Sequence, residues 1–336
     1  MNNKYSCFKN VYICYSPLHV FSALTLSAGN NKNTLIIAPK KYKALCPKES
    51  KFIPMKYGGS EIGLFNKLIS FMMNLLFLHY RQPIETLTIP NDADPFVMLL
   101  VKRLKWSELI YMDEGLTLLH HENMDKKTFH VSQSSRLKKM FGLEINAIPM
   151  TSKSFSKGYV FFANKLERFT KLPLFELNTI IANQSIDIDG LEAFEYPYEP
   201  DFLFLGQPLG VDGHCLKGQE YLAIKHFIES FPSAYIIYKP HYRENEVDYG
   251  FLGNYNNVRI LEVNKVVPYQ ILHGKISPKN LVSFISSALF SVPSLHEDFQ
   301  RISLVDLIDA PKMETYKATF DGLKISFPDF RYFHEL

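Results

Sequence analysis

Phe202 to Gly213 reads FLFLGQPLGVDG. Four apolar residues in a row, with no alternation, suit a strand buried on both faces, as in a parallel sheet. The run ends in a loop with three glycines, Gly206, Gly210 and Gly213, which let main chain approach a ligand closely. Lys217 to Phe231 then has helical spacing. A second apolar run, Ala234 to Tyr238 (AYIIY), opens directly onto Lys239-Pro240-His241-Tyr242-Arg243. Two further strands are expected, Val258 to Leu261 and Leu281 to Ile285 (LVSFI), the latter running into Ser286-Ser287. Strand, loop, helix, strand in this order is the pattern of βαβ units and a parallel sheet.

The same pattern fills the first half. Val11 to Tyr15 (VYICY) reads as a strand, with Ser16-Pro17 at a helix start and Leu18 to Ala28 helical. Thr34 to Ala38, Glu85 to Ile89 and Glu108 to Met112 (ELIYM) read as strands, and Pro95 to Trp106 as a helix. Tyr159 to Leu172 reads as a helix, and Phe194 to Pro200 (FEYPYEP) as an extended crossing. The expectation is an α/β chain with two facing Rossmann-like domains and a cleft between them. At roughly 150 residues per domain, 336 residues suit two domains. Expected divisions are 1–155 for the first domain, 156–200 for a helical or extended segment between domains, 201–311 for the second domain, and a tail at 312–336.

Composition narrows the class. Hydrophobic residues are 46% and charged residues 21%, as in a globular chain, which excludes disorder, collagen-like repeats and coiled-coil rods. Residues 1–160 hold 21 Lys and Arg against 11 Asp and Glu, while the remainder holds 16 against 23. A basic half beside an acidic half points to an anionic partner for the first half, with solvated lysines as the plain alternative. The four cysteines, Cys7, Cys14, Cys46 and Cys215, form no C-x-x-C pair, so zinc knuckles and disulfide frameworks are not indicated, and reduced thiols fit a cytoplasmic chain. The polar opening MNNKYSCFKN does not read as a signal peptide. The apolar stretch Leu68 to Leu78, within an expected helix over 61–80, is shorter than the ~20 residues that span a bilayer. It reads as a buried, dimer-contact or interfacial helix.

Candidate chemistry falls at strand ends, where such sheets bind ligands. Asp113-Glu114-Gly115 follows ELIYM, and one carboxylate there can serve as a general base, a solvated acidic turn being the alternative. Lys239, Pro240, His241 and Arg243 offer cations and a hydrogen-bond donor to a phosphate. Ser286 and Ser287 offer hydroxyls at a strand-to-helix junction, where an ordinary helix cap is the competing reading. In the glycine loop, Gly206, Gln207 and Pro208 can approach a ligand and Asp212 can serve as a base or a ribose contact, a plain connecting loop being the alternative. Asp92-Ala93-Asp94 and Asp187-Ile188-Asp189 are D-x-D patterns that are common by chance, Asp94 reading as a helix cap before Pro95, His120-His121-Glu122 lacks partner ligands, and no metal is expected. The phosphate-loop, dinucleotide-fold, nucleophile-elbow and zincin motifs are missing, as are nucleic-acid-binding motifs.

Taken as an ordered set, these motifs resemble those of the bacterial sialyltransferases of the GT-B type, which share a (D/E)-(D/E)-G motif, a His-Pro motif and a later Ser motif. Glycosyltransferase family 52, the lipooligosaccharide sialyltransferase group, is the nearest likeness, with the capsular polysialyltransferases next. VYICYSPLHVFSAL also looks like the first strand and helix of these enzymes. The resemblance runs thinly from about residue 10 to residue 300. It implies an inverting, metal-independent transfer from CMP-sialic acid, with no cofactor, to a terminal sugar, galactose first, of a surface glycan. It makes 1–155 the acceptor side and 201–311 the nucleotide-sugar side, and has the tail at 312–336 pack back on the first domain. Asp113 or Glu114 would be the base, His241 would contact the CMP phosphate, Ser286 and Ser287 would hold it, and Gly206 to Leu209 would lie near the nucleotide. Two departures stand out. The proline precedes the histidine, at Pro240, and the position where family 52 places its acid corresponds to Leu209, with Asp212 three residues on. The base therefore stays open among Asp113, Glu114 and Asp212, with the acidic pair favoured. The basic half implies peripheral contact with anionic inner-membrane lipid on the cytoplasmic side. Another nucleotide-sugar donor, or a non-catalytic role in polysaccharide assembly, are the alternatives.

Overall fold

The computed structural model describes residues 8–28, 33–46, 51–55, 83–90, 95–113, 154–167, 170–182, 199–241, 243–261, 271, 276–292 and 298–336. Glu114, Gly115, both D-x-D lookalikes, the His120-His121-Glu122 cluster and the apolar stretch 61–80 lie outside them.

The chain divides into two compact units, residues 1–118 with 125–192, and 119–124 with 193–336. The first unit is built on β1 (Asn10–Ile13), β2 (Thr34–Ala38), β3 (Lys51–Pro54), β4 (Ile84–Ile89), β5 (Trp106–Met112), β6 (Lys157–Val160) and β7 (Leu174–Glu176). Its helices are α1 (Pro17–Leu26), α2 (Pro95–Arg103), α3 (Ala163–Leu166) and α4 (Leu177–Ala182). The strands are parallel and lie in the order β3-β2-β1-β4-β5-β6-β7. Every residue of β2 is buried, as a strand covered on both faces requires.

The second unit carries β8 (Phe202–Leu205), β9 (Ile236–Lys239), β10 (Val258–Ile260), β11 (Asn280–Ser283), β12 (Gln300–Ser303) and β13 (Phe330–Tyr332). Its helices are α5 (Gln219–Ser230), α6 (Glu246–Tyr249), α7 (Ala288–Ser291) and α8 (Pro311–Lys324). Again the strands are parallel, in the order β10-β9-β8-β11-β12-β13. In both sheets the order reverses beside the first strand, at β1/β4 and at β8/β11. That reversal opens a crevice at the carboxyl ends of the two strands.

Two expectations need correction. The segment 156–200 contains β6 and β7, which complete the first sheet, and the helix expected over Tyr159 to Leu172 is reduced to the single turn α3. Pairing decides this stretch: Gly158 lies between Tyr111 and Leu174 in register, and a Cβ on it would sit 3.0 Å from the Leu174 side chain. The tail 312–336, expected outside the second domain's 201–311, belongs to the second unit. It supplies most of α8 and all of β13, the edge strand beside β12.

Arg301 explains why the tail stays there. It is 1% exposed, and its guanidinium lies 5.1 Å from the Phe299 ring centroid and 5.2 Å from that of Phe327. Its Nη1 donates to the carbonyls of Leu289 and Val292 at 3.2 and 3.0 Å, and its Nε stands 3.2 Å from Asp329 Oδ2. One buried cation thus joins β12, the carbonyls around α7 and the turn before β13. Asp329→Ala leaves that cation without its counter-charge and should cost about 3–5 kcal/mol. Urea unfolding checks it, and an unchanged midpoint would contradict the role given to this pair.

Candidate functional site

In the second unit the loops after β8, β9 and β11 meet at the sheet's reversal point. The β9 loop is organised by Glu244, 6% exposed. Its carboxylate accepts the Tyr238 hydroxyl at 2.8 Å and the His241 main-chain N–H. Burial pushes Glu244 above the ordinary carboxylate range, against the pull of those donors and of Lys239. Lys239, also buried, donates to the Pro240 carbonyl at 2.6 Å, and burial lowers its pKa to about 8 despite Glu244 nearby. The His241 ring accepts the Arg243 N–H through Nδ1 at 3.3 Å. The ring proton of neutral His241 is thereby assigned to Nε2, which makes that atom the donor.

The β8 loop packs against this one. A Cβ on Gly206 would collide with the Tyr238 hydroxyl and the Glu244 carboxylate, so glycine is required there. Gln207 reaches across the reversal point: its Oε1 accepts the Ile285 N–H at 2.6 Å and lies 3.1 Å from the Ser283 hydroxyl. Asp212 is engaged by Arg243 at 2.6 Å, which ties the β8 loop to the β9 loop. Gly213, at φ +68°, turns the chain, and its carbonyl accepts Lys312 Nζ at 2.7 Å. The loop's far end folds around Glu220, fully buried, which accepts from the N–H groups of Gly210 and Gly218 at 3.0 and 3.1 Å.

Ser286 and Ser287 are half-buried after β11. Ser286 Oγ accepts the Ala288 N–H at 3.2 Å, which leaves its own O–H to donate. The helix that follows has only four residues, so the hydroxyls, rather than a helix dipole, are what this loop can offer an anion.

In the first unit, Asp113 ends β5 and is fully buried. Its main-chain N–H donates to Tyr159 O at 2.9 Å, and its Oδ2 accepts the Phe161 N–H at 3.2 Å. His19, on the first turn of α1, is 2% exposed. Its N–H donates to the Ser16 hydroxyl at 3.2 Å, and its Nδ1 accepts the Tyr15 N–H at 3.1 Å. Its Nε2 faces the Asp113 carbonyl without completing a well-formed hydrogen bond. Burial lowers its pKa to about 4.

The second unit therefore brings together Gly206, Gln207, Pro208, Asp212, Lys239, Pro240, His241, Arg243, Ser286 and Ser287. Asp113 belongs to the first unit. Sequence reading missed Glu244, Glu220 and His19. Glu220, two residues after Gly218 in the first turn of α5, carried a faint capping signal. Glu244 carried none, because its partners become neighbours only when β8 and β9 pair. Among the described residues no three His, Cys, Asp or Glu side chains cluster as a metal site requires, and no helix is long and apolar enough to cross a membrane.

No protein-family profile and no curated protein sequence matches the chain. Solved structures do. An α/β-galactoside α-2,3-sialyltransferase from Photobacterium phosphoreum is 13% identical at TM-score 0.58, covering 97% of this chain and 98% of that one. A 2,6-sialyltransferase from Photobacterium sp. JT-ISH-224, in ternary complex with CMP and lactose, is 11% identical at TM-score 0.61, covering 96% and 78%. A UDP-GlcNAc 2-epimerase from Neisseria meningitidis bound to UDP-GlcNAc is 12% identical at TM-score 0.54, covering 95% and 92%. With two Rossmann-ordered sheets, these likenesses define the α/β fold of the GT-B class. Identities this low establish the fold, which houses more than one reaction.

His19 makes an acid-linked prediction. Its folded pKa lies below the unfolded value of 6.5, so the stability its neutral ring contributes is present above pH 6.5 and is lost as pH falls towards 4. A shift of this size is worth about 3 kcal/mol. His19→Asn, which keeps an acceptor for Tyr15, should remove that part of the acid loss. Urea midpoints from pH 7 to 4 check it, and parallel curves for the two proteins would contradict it.

Proposed function

We propose that the protein is an inverting sialyltransferase that moves sialic acid from CMP-sialic acid to a terminal sugar, galactose first, of a bacterial surface glycan such as lipooligosaccharide, O-antigen or capsule. The observation that carries this reading is that the loop after β8 is tied both to the β9 loop of Lys239 and His241, through Asp212 and Arg243, and to the β11 loop of Ser286 and Ser287, through Gln207 and Ile285. There cation and hydroxyl groups suit a single phosphate. The likeness in fold to two sialyltransferases, one of them bound to CMP and lactose, supports it.

In this reading each unit supplies half of the chemistry. A carboxylate of the first unit, Asp113 or Glu114, takes the proton of the acceptor hydroxyl. That oxygen bonds to the anomeric carbon as the bond from that carbon to the CMP phosphate oxygen breaks, with inversion. His241 Nε2–H and the serine hydroxyls meet the charge that grows on the departing phosphate, a term that often dominates enzymatic rate enhancement. Asp113 is buried, so its use as base requires the acceptor to be admitted to the end of β5. Asp212, held by Arg243, serves the loop in this scheme rather than the proton transfer. CMP leaves with one phosphate group, which these donors can neutralise without a metal. The basic first half is assigned to anionic lipid on the cytoplasmic face, where lipid-linked acceptors are made.

The second reading keeps the fold and changes the donor to a nucleotide hexose, as the likeness to an epimerase bound to UDP-GlcNAc allows. Calorimetry with CMP and UDP in EDTA separates the two. CMP should bind and UDP should not. His241→Ala should weaken CMP and slow turnover by about 10²-fold, the scale of losing one donor to developing charge. UDP binding alone would favour the second reading, and binding of neither nucleotide would overturn both.

A further inference from the structure

Gln207 occupies the β8/β11 reversal point with its amide orientation decided by its neighbours. Its Oε1 accepts the Ile285 main-chain N–H at 2.6 Å, and the Ser283 hydroxyl lies 3.1 Å from the same atom. A main-chain N–H can only donate, so the atom facing it must be the amide oxygen, never the nitrogen. The amide cannot flip without setting two donors against each other. The single proton of the Ser283 hydroxyl serves either that oxygen or the Leu205 carbonyl, 2.8 Å away, and the Ile285 contact holds the oxygen between the ends of β8 and β11. The NH2 group is then directed away from the strands, and among the described residues no hydrogen bond uses it. Gln207 is half-buried, and the crevice at a reversal point is where ligands of such sheets bind.

We propose that the Gln207 side-chain NH2 is a hydrogen-bond donor to the phosphate of the bound nucleotide, pre-aimed by the Ile285 contact. This rests on the CMP-dependent reading above and adds a neutral donor to the ring and hydroxyl donors on the other two loops. The geometry also separates two roles in one side chain. The oxygen positions the β11 loop, and the nitrogen contacts the ligand.

Gln207→Glu separates those roles, because a carboxylate still accepts from the Ile285 N–H but presents an oxygen where the NH2 stood. The experiment is calorimetry of wild-type and variant with CMP and with cytidine, alongside thermal melts. The variant should weaken CMP by about tenfold or more, the range for a lost hydrogen bond to a charged group, while cytidine affinity stays near wild type. Equal loss for CMP and cytidine, or no loss for either, overturns the proposal. Wild-type protein that binds neither compound instead sinks the CMP reading on which it rests. Should the variant melt well below wild type, the wild-type amide NMR spectrum decides. The Gln207 side-chain pair should move with CMP and not with cytidine, and a pair that moves with neither overturns the assignment.

Discussion

The buried carboxylate of Glu244 is the constraint on which the second unit's loops depend. It takes the His241 N–H and the Tyr238 hydroxyl, stands beside the buried Lys239, and presses so closely on Gly206 that no side chain fits there. A polar group removed from water must be matched by donors, and here the donors come from one strand end and the loop that leaves it. Satisfying the carboxylate therefore sets the backbone at His241 and the approach of the β8 loop in one step. Removing Glu244 would strand a hydroxyl and an amide beside a buried lysine.

Around this centre four sets of side-chain contacts brace the second unit. Gln207 joins the β8 loop to the β11 loop, Arg243 and Asp212 join the β9 loop to the β8 loop, and Glu220 gathers the far end of the glycine loop. Arg301 holds the carbonyls around α7 from behind the serines. Most of these are contacts to main chain, which suits a site that must hold loops rather than merely orient side chains. In the proposed transfer such bracing would be preorganisation, because donors already in place for a developing charge need no rearrangement. Burying Lys239 costs stability, because burial disfavours its charged form, and such a cost is common where a site needs charge in a dry place.

The first unit follows the same plan with a different chemistry. Its reversal point carries the α1 start, where Ser16 and Tyr15 bind a neutral histidine, and its β5 end carries a carboxylate tied to the Phe161 N–H. Both sheets thus place polar groups at or beyond the carboxyl ends of largely buried strands. The one offers a carboxylate and the other offers donors.

Much of this was written in local sequence. Unbroken apolar runs such as TLIIA and FLFL declared strands covered on both faces, because hydrophobic burial leaves them no solvent side, and alternation with helical spacing declared the parallel sheets. The strand-end loops followed, and with them nearly every residue of the second unit's cluster. What local pattern did not contain was pairing. β6, β7 and β13 are three or four residues long, and only neighbours distant in sequence make them strands, so 156–200 and 312–336 read as connector and tail. Glu244 and His19 stayed invisible for the same reason, and Glu220 showed only a faint capping signal. A buried carboxylate or histidine has the letters of a surface residue, and its role appears only once tertiary packing removes its water and supplies its partners.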